Sequence, residues 1–181
     1  MTTARSRIGV PCASDPRIPG AAAPDLDALL PHSGRSRLIR AVLEASDDRI
    51  VCEGVPPSDP EHPLRLDGRL WPAAAIEYGA QAMAAHGALA DRGGGPPRIG
   101  YLVAVRDVHF VVDALDAITG PLRVAAERVF VLGDQVSYAF EVGTADGTPL
   151  VRGRANVSLR GAAMLAAAGD SALGDPPRGD A

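Results

Sequence analysis

The sequence predicts an α+β domain in which an antiparallel sheet wraps around one long central helix. One extended helical pattern occupies the middle of the 181-residue chain, and strand-like runs lie on both sides of it. Two of these runs precede the helix and about four follow it, with short polar turns between them. The length suits one domain. We place this domain at 26–160, between flexible N-terminal and C-terminal tails that we expect at 1–25 and 161–181.

The elements before the central helix are short. Asp25 can cap a helical turn over 26–30, which Pro31 then ends. The runs at 38–45 and 49–54 read as two strands joined by a polar turn. A proline-rich loop then leads from the second strand to the helix.

The central helix is predicted over 72–90. Pro72 suits its first turn, because the N–H that proline lacks has no helical partner there. The glycines and prolines of 93–97 end the helix. Small side chains fill its interior, and we expect them to let a sheet approach closely. An apolar face at helical spacing is formed by Ile76, Ala80, Met83, Ala84 and Gly87.

The rest of the chain alternates apolar and polar residues in a way that is typical of strands. Strands are predicted over 99–112, 122–132, 136–144 and 149–159, with a hairpin turn at Asp146-Gly147. Two strands, a small-residue helix and an antiparallel meander, in this order, indicate the hotdog fold. In that fold, edge strands commonly pair across a dimer.

Composition excludes several classes of function. A net charge of −4 and an aromatic content of 4% argue against a nucleic-acid partner, which requires clustered positive charge and stacking surfaces. Two cysteines are too few for a disulfide scaffold, and no metal-ligand pattern is visible. No run approaches the roughly 18 apolar residues of a membrane span, and the start lacks a secretory signal. We therefore expect a cytoplasmic protein without a metal, membrane or nucleic-acid partner.

Three segments resemble a single known family. The segment at 29–42, which begins LLPHSGR, resembles the opening of 3-hydroxyacyl-[acyl-carrier-protein] dehydratases. The segment at 76–82, IEYGAQA, resembles the start of that family's central helix, and 100–110 resembles the strand that follows. Within the family, the chain is similar to the dehydratase-like proteins of aryl polyene biosynthesis. The resemblance covers 26–159.

The resemblance implies a reaction and its partners. The implied reaction converts a 3-hydroxyacyl thioester to a trans-2-enoyl thioester in fatty acid or polyketide biosynthesis, here of an aryl polyene. The substrate would be presented on the phosphopantetheine arm of an acyl carrier protein, and the enzyme would need no cofactor of its own. A homodimer, or a heterodimer with another hotdog dehydratase, is expected. Candidate contacts for an acidic carrier protein are Arg35, Arg37, Arg40, Arg65, Arg69 and Arg98.

The resemblance also implies site residues. Dehydration needs a base for the C2 proton and an acid for the leaving hydroxyl, and by resemblance His62 and Glu77 take these roles, paired within one subunit or across a dimer. Free N–H groups at the start of the helix would receive the thioester oxygen. His32, His86 and His109 are expected to be structural. Substrate contacts are expected from Trp71, Pro72, Ala73, Ala74 and Gln81.

The loop before the helix departs from the family pattern and leaves alternatives open. His62 lies one position further from Glu77 than the family's histidine does, and Pro72-Ala73 replaces a Pro-Gly pair. A glycine there would let the thioester approach the backbone closely. One alternative is a catalytically weak or inactive subunit of a dehydratase heterodimer. Another is a hotdog thioesterase, in which a carboxylate on the same helix activates water.

Overall fold

The structure, a computed structural model, describes residues 24–91 and 100–159. Apart from Pro24 and Asp25, the predicted tails lie outside the described residues. The elements are α1 (Leu26–Leu29), a 3-10 turn (Gly34–Ser36), β1 (Ile39–Ala45), β2 (Arg49–Gly54), α2 (Ala74–Ala90), β3 (Tyr101–Phe110), β4 (Leu122–Leu132), β5 (Gln135–Thr144) and β6 (Pro149–Ser158). The sequence predicts all of these except the 3-10 turn, with each boundary within two residues.

The strands form one six-stranded sheet in the order β1-β2-β4-β5-β6-β3. Every neighbouring pair is antiparallel. Helix α2 packs against β1, β2, β4 and β5, so the sheet wraps around it as the hotdog fold requires. Strand β3 lies at one edge, and β1 lies at the other.

Close approach of the sheet to α2 depends on glycine. A Cβ atom added at Gly79 of α2 would lie 2.9 Å from the ring of Phe140 on β5, and one added at Gly153 of β6 would lie 2.9 Å from the same ring. The Phe140 ring therefore fills the space between the helix and two strands, and a larger residue at either glycine would displace it. The residues of α2 that are buried are Ala75, Tyr78, Gly79, Gln81, Ala82, Met83, Ala85 and His86.

The predicted apolar face of α2 differs from the face that the sheet covers. Ala80, Ala84 and Gly87 are only partly buried, because they line a cavity on the side of the helix toward β3. Because α2 is apolar almost all round, periodicity does not select which side the sheet covers. No helix within the two described ranges is both long enough and apolar enough to cross a membrane.

Candidate active site

The cavity beside α2 has a volume of about 630 Å³. One wall is the small-residue face of the helix, and the other walls come from the segment around α1 and from the ends of β3, β4, β5 and β6. Most of the lining residues are aliphatic, among them Leu29, Met83, Val136 and Val157. The cavity suits an apolar chain better than a charged molecule.

Two titratable side chains meet in the wall of this cavity. His32 Nε2 lies 3.5 Å from Glu77 Oε1, and the two side chains are 36% and 38% exposed. Glu77 is in the first turn of α2, where Ala75 and Tyr78 take the buried positions and leave its carboxylate to face the cavity. The pair combines solvent access with contact to an apolar space, as acid–base catalysis on a bound substrate requires.

Gln81 links α2 to the segment before β1 through hydrogen bonds. Its side chain is 1% exposed, and its Oε1 accepts a hydrogen bond of 2.7 Å from the backbone N–H of Leu38. Its Nε2 donates to the carbonyl of Ser36 at 2.8 Å and to Glu77 Oε1 at 3.0 Å. Gln81 therefore orients Glu77 and fastens α2 to the segment that leads into β1. Gln81 does not line the cavity, and its contact with substrate stays a prediction.

Local structure around α1 positions His32. The Asp25 side chain accepts a hydrogen bond from the N–H of Asp27, and α1 ends at Leu29, ahead of Pro31. Leu30 is 5% exposed and anchors the chain just before His32. Imidazole Nδ1 of His32 is buried and has no hydrogen-bond partner in the described part of the chain.

His62 has very different surroundings. It is 3% exposed, and its Nδ1 accepts a hydrogen bond of 3.2 Å from the N–H of Leu64. Nε2 therefore carries the proton and donates to the Tyr78 hydroxyl at 2.8 Å, while that hydroxyl donates to the Val55 carbonyl at 2.9 Å. Burial, reinforced by the positive charge of Arg65, lowers the pKa of His62 and favours its neutral form.

Within one subunit, His62 and Glu77 do not meet, and a pairing across a dimer stays a prediction. His62 is absent from the cavity wall, and both of its ring nitrogens are already hydrogen-bonded. The histidine that faces Glu77 is His32, which sequence reasoning placed among the structural residues. The sequence contains one indication of the position of His32, which directly follows Pro31 just after the end of α1. Only packing of that segment against α2, however, shows that the two residues meet.

The residues at the start of α2 lie outside the cavity in this chain. The Trp71 ring is 46% exposed, and the Arg69 guanidinium lies 4.5 Å from its centroid. The N–H groups of Ala74 and Ala75 donate to the carbonyls of Trp71 and Pro72 at 2.9 and 3.0 Å. These two N–H groups are therefore not free to receive a thioester oxygen. Substrate contact by Trp71, Pro72, Ala73 and Ala74 stays a prediction.

A second buried histidine, His86, hydrogen-bonds to a residue of the cavity wall. His86 is 1% exposed, and its Nε2 donates to the Ser46 carbonyl at 3.1 Å. Its Nδ1 accepts from the hydroxyl of Tyr138, a cavity-lining residue, at 3.0 Å. Burial lowers the pKa of His86, so the neutral ring is favoured.

Comparisons with known proteins agree with this architecture. The chain matches the dehydratase heterocomplex ApeI:P from Xenorhabdus doucetiae with a TM-score of 0.64 and 27% identity, over 74% of this chain and 89% of that one. A Pyrococcus horikoshii protein matches at TM-score 0.50 and 15% identity, over 67% and 83% of the two chains. A Mycobacterium tuberculosis protein proposed to be an esterase matches at TM-score 0.51 and 13% identity, over 67% and 90%. The last two show the fold alone.

Sequence comparison identifies the family. A search of curated protein sequences finds no match to the chain. The sequence profile of ApeP-like dehydratases, by contrast, matches residues 24–164, which include the helix that carries Glu77 and the segment that carries His32. The match spans all of the described residues and confirms the resemblance drawn from the sequence. The chain therefore belongs to the ApeP-like dehydratase family.

Proposed function

We propose that this chain is a subunit of a 3-hydroxyacyl-[acyl-carrier-protein] dehydratase and that Glu77 and His32 are its acid–base pair. The observation that carries this proposal is the placement of both side chains, 3.5 Å apart, in the wall of an apolar cavity. Catalytic hydrogen bonds are often long before substrate binds, so this separation suits a pair that tightens around a substrate.

The proposed reaction divides two proton transfers between the pair. His32 removes a proton from C2 of the acyl chain, and the electrons of that C–H bond form the C2–C3 double bond. As the C3–O bond breaks, Glu77 donates a proton to the leaving hydroxyl, which departs as water. His32 has then gained one proton and Glu77 has lost one. Direct transfer between the two side chains restores the starting state without a co-reactant.

The dimensions of the cavity support an acyl chain as its occupant. Its wall follows α2 from Glu77 to Ala88, which at 1.5 Å per residue is about 16 Å. Most side chains along this wall are small, and most of those opposite are apolar. An extended acyl chain with its thioester at Glu77 would lie along the helix. The family match supports a role in aryl polyene biosynthesis, and we propose that the protein acts in the cytoplasm.

A second subunit is part of the proposal. Strand β3 has no neighbour on its outer side within the described chain, and several apolar side chains near it are exposed. Val103 is 62% exposed, Phe110 is 50% exposed and Leu102 is 42% exposed. An uncovered strand edge with apolar residues favours pairing with another sheet. The heterocomplex state of ApeI:P favours a heterodimer over a homodimer.

A second candidate function is a subunit with little activity of its own. The specific observation that favours it concerns His62, the residue that resembles the family's catalytic histidine. Both ring nitrogens of His62 are engaged in hydrogen bonds. In that case the chain would complete the fold and cavity of a more active partner. A thioesterase is the remaining alternative, because Glu77 is also placed to activate water.

Mass spectrometry of a 3-hydroxyacyl carrier protein distinguishes these functions. The purified chain is incubated with the substrate alone and, in parallel, as a complex with a co-expressed second hotdog subunit. Loss of one water by the chain alone, abolished by Glu77→Gln, supports the active dehydratase. Water loss only in the complex and unchanged by Glu77→Gln supports the weakly active subunit. Release of free carrier protein would instead identify a thioesterase.

A further inference from the structure

Gly87 of α2 is a glycine that neither the backbone nor the packing of the described chain requires. Within the two described ranges, some glycines have the positive φ that favours this residue: Gly34, Gly68, Gly133 and Gly147. At others an added Cβ atom would lie less than 3.0 Å from a neighbouring atom: Gly54, Gly79, Gly100, Gly143 and Gly153. The remaining two are Gly87 and Gly120, where an added Cβ atom would meet nothing within 4 Å.

Of these two, Gly87 alone lies in a helix. Glycine inside a helix is destabilising relative to alanine, because it loses more conformational freedom on folding. Gly120 lies in a bend just before β4, where this cost does not arise. The contacts within the described chain therefore give no reason for glycine at position 87, and the open space beside it needs another explanation.

This open space belongs to the cavity that holds the His32–Glu77 pair, since Gly87 is one of its lining residues. Tyr138 lines the cavity at the same level, because its hydroxyl lies 3.0 Å from Nδ1 of His86, the residue before Gly87. Ten residues separate Glu77 from Gly87 along α2, so Gly87 lies about 15 Å further along the helix.

This separation gives the length of an acyl chain that would reach Gly87. An extended polypeptide spans about 3.3–3.6 Å for every three backbone bonds, so an extended chain advances about 1.2 Å per bond. About 12 bonds therefore cover the distance along the helix. With C3 of the substrate at Glu77, the acyl chain would pass Gly87 at about its fifteenth carbon, and a short acyl chain would end well before it.

We propose that Gly87 is a specificity-determining residue, which admits acyl chains of about 14 or more carbons to the far part of the cavity. This inference rests on the proposed function, which supplies an acyl thioester as the substrate. Because position 87 has no side chain, the far part of a long acyl chain can lie against the backbone of α2. A leucine there would fill the same space and end the cavity at that level.

A matched pair of variants tests this role. Gly87→Leu and Gly120→Leu add the same side chain at glycines that have no close neighbours, but Gly120 does not line the cavity. Gly87→Ala, a third variant, adds only the Cβ atom. The kcat/KM is measured for 3-hydroxybutyryl and 3-hydroxyhexadecanoyl acyl carrier protein, with the chain alone and in complex with a second hotdog subunit. Thermal unfolding and the mass of the complex are measured on the same preparations.

Gly87→Leu should lower the ratio of kcat/KM for the long substrate over the short one by about tenfold or more, because a misfit of one methylene in an apolar pocket is worth about 10- to 200-fold. Gly120→Leu should keep the wild-type ratio. Gly87→Ala should raise the unfolding temperature by about 2–4 °C, because it replaces a glycine inside a helix.

Four results overturn the proposal. The first two are an unchanged ratio in Gly87→Leu and an equal fall in both leucine variants. The third is a lower unfolding temperature in Gly87→Ala, or a Gly87→Leu variant that does not fold although Gly120→Leu does, since the folded chain itself would then need the space. The fourth is dissociation of the complex by Gly87→Leu alone, since a partner subunit would then occupy the space.

Direct binding separates this proposal from the proposed function. The probe is cis-parinaric acid, a fluorescent long-chain fatty acid, which is titrated into the wild type and both leucine variants. Gly87→Leu should bind it about tenfold or more weakly than the wild type, and Gly120→Leu should bind it equally well. If neither the wild-type chain nor its complex dehydrates either substrate, the dehydratase proposal fails. Equal binding of the probe by all three proteins would instead refute the role of Gly87.

Discussion

His32 and His62 are both loop histidines next to a proline, and the structure gives them opposite environments. The ring of His62 is buried, and both of its nitrogens have partners, whereas His32 is 36% exposed and faces a carboxylate. A histidine whose two nitrogens are already hydrogen-bonded must break a bond before it can accept a proton. This difference in hydrogen bonding is the reason that we propose His32, and not His62, as the base.

Among the variants considered, Glu77→Gln is expected to have the largest effect on the dehydration rate. The glutamine keeps the size of the side chain and can still hydrogen-bond to Gln81, but it cannot donate a proton as a carboxylic acid does. Dehydration should fall by about 10²- to 10⁴-fold, the usual contribution of a positioned acid or base. The rate is measured by mass spectrometry of the acyl carrier protein. Glu127→Gln, which changes an exposed glutamate on β4, is the control and should leave the rate unchanged.

His32→Ala should have the second-largest effect on the dehydration rate. Removal of the proposed base should lower the rate by about 10²-fold or more, and stability should change little, because His32 is partly exposed and one of its nitrogens has no partner among the described residues. Rate and thermal unfolding are measured on the same preparation. Full activity in His32→Ala, together with loss of activity in a folded His62 variant, would reverse our assignment of the two histidines.

His62→Ala should affect stability more than activity. It leaves the Leu64 N–H without its acceptor and opens a space beside Tyr78, which together should lower the free energy of unfolding by about 2–3 kcal/mol. Below its unfolding transition, the variant should dehydrate substrate within a few-fold of the wild-type rate. Urea unfolding followed by circular dichroism measures the stability. Tyr78→Phe, which removes the hydroxyl and keeps the ring, should cost about 1–2 kcal/mol.

The pH dependence of stability should show the smallest effect. Burial lowers the pKa of His62 and of His86 below 6.5, whereas in the unfolded chain both titrate near that value. Between each lowered pKa and 6.5 the unfolded state binds more protons, so the free energy of unfolding falls as pH falls. The slope is at most about 1.4 kcal/mol per pH unit for each group.

Urea unfolding at a series of pH values from about 7 to about 5 measures this slope. His62→Ala should have a shallower slope than the wild type, since only His86 then contributes in this way. Equal slopes in the two proteins would show that His62 is not held neutral by the fold.

Much of the fold can be predicted from the sequence because its signals are local. The alternation of Val151, Gly153 and Ala155 predicts β6, and the proline and glycines around the central helix predict its ends. The candidate site is harder to predict. The motif that marks the helix also contains Glu77, which lies in the cavity wall, but the histidine that faces it comes from a segment far away in the sequence. The 3-10 turn at Gly34–Ser36 is missed because three residues carry too little periodicity.

The sequence by itself determined the order of elements, the hotdog arrangement and the family, because residue periodicity, turn residues and motif spacing are properties of contiguous segments. The tertiary structure alone decided which face of α2 lines the cavity, which histidine meets Glu77 and which arginines pair with a carboxylate. Of the arginines suggested for a carrier protein, Arg35, Arg37 and Arg65 form such pairs, and Arg98 lies outside the described residues. These outcomes depend on packing between segments that are distant along the chain. A motif specifies which residue is present, but the surrounding contacts decide whether its nitrogens, carboxylate or charge are available for chemistry.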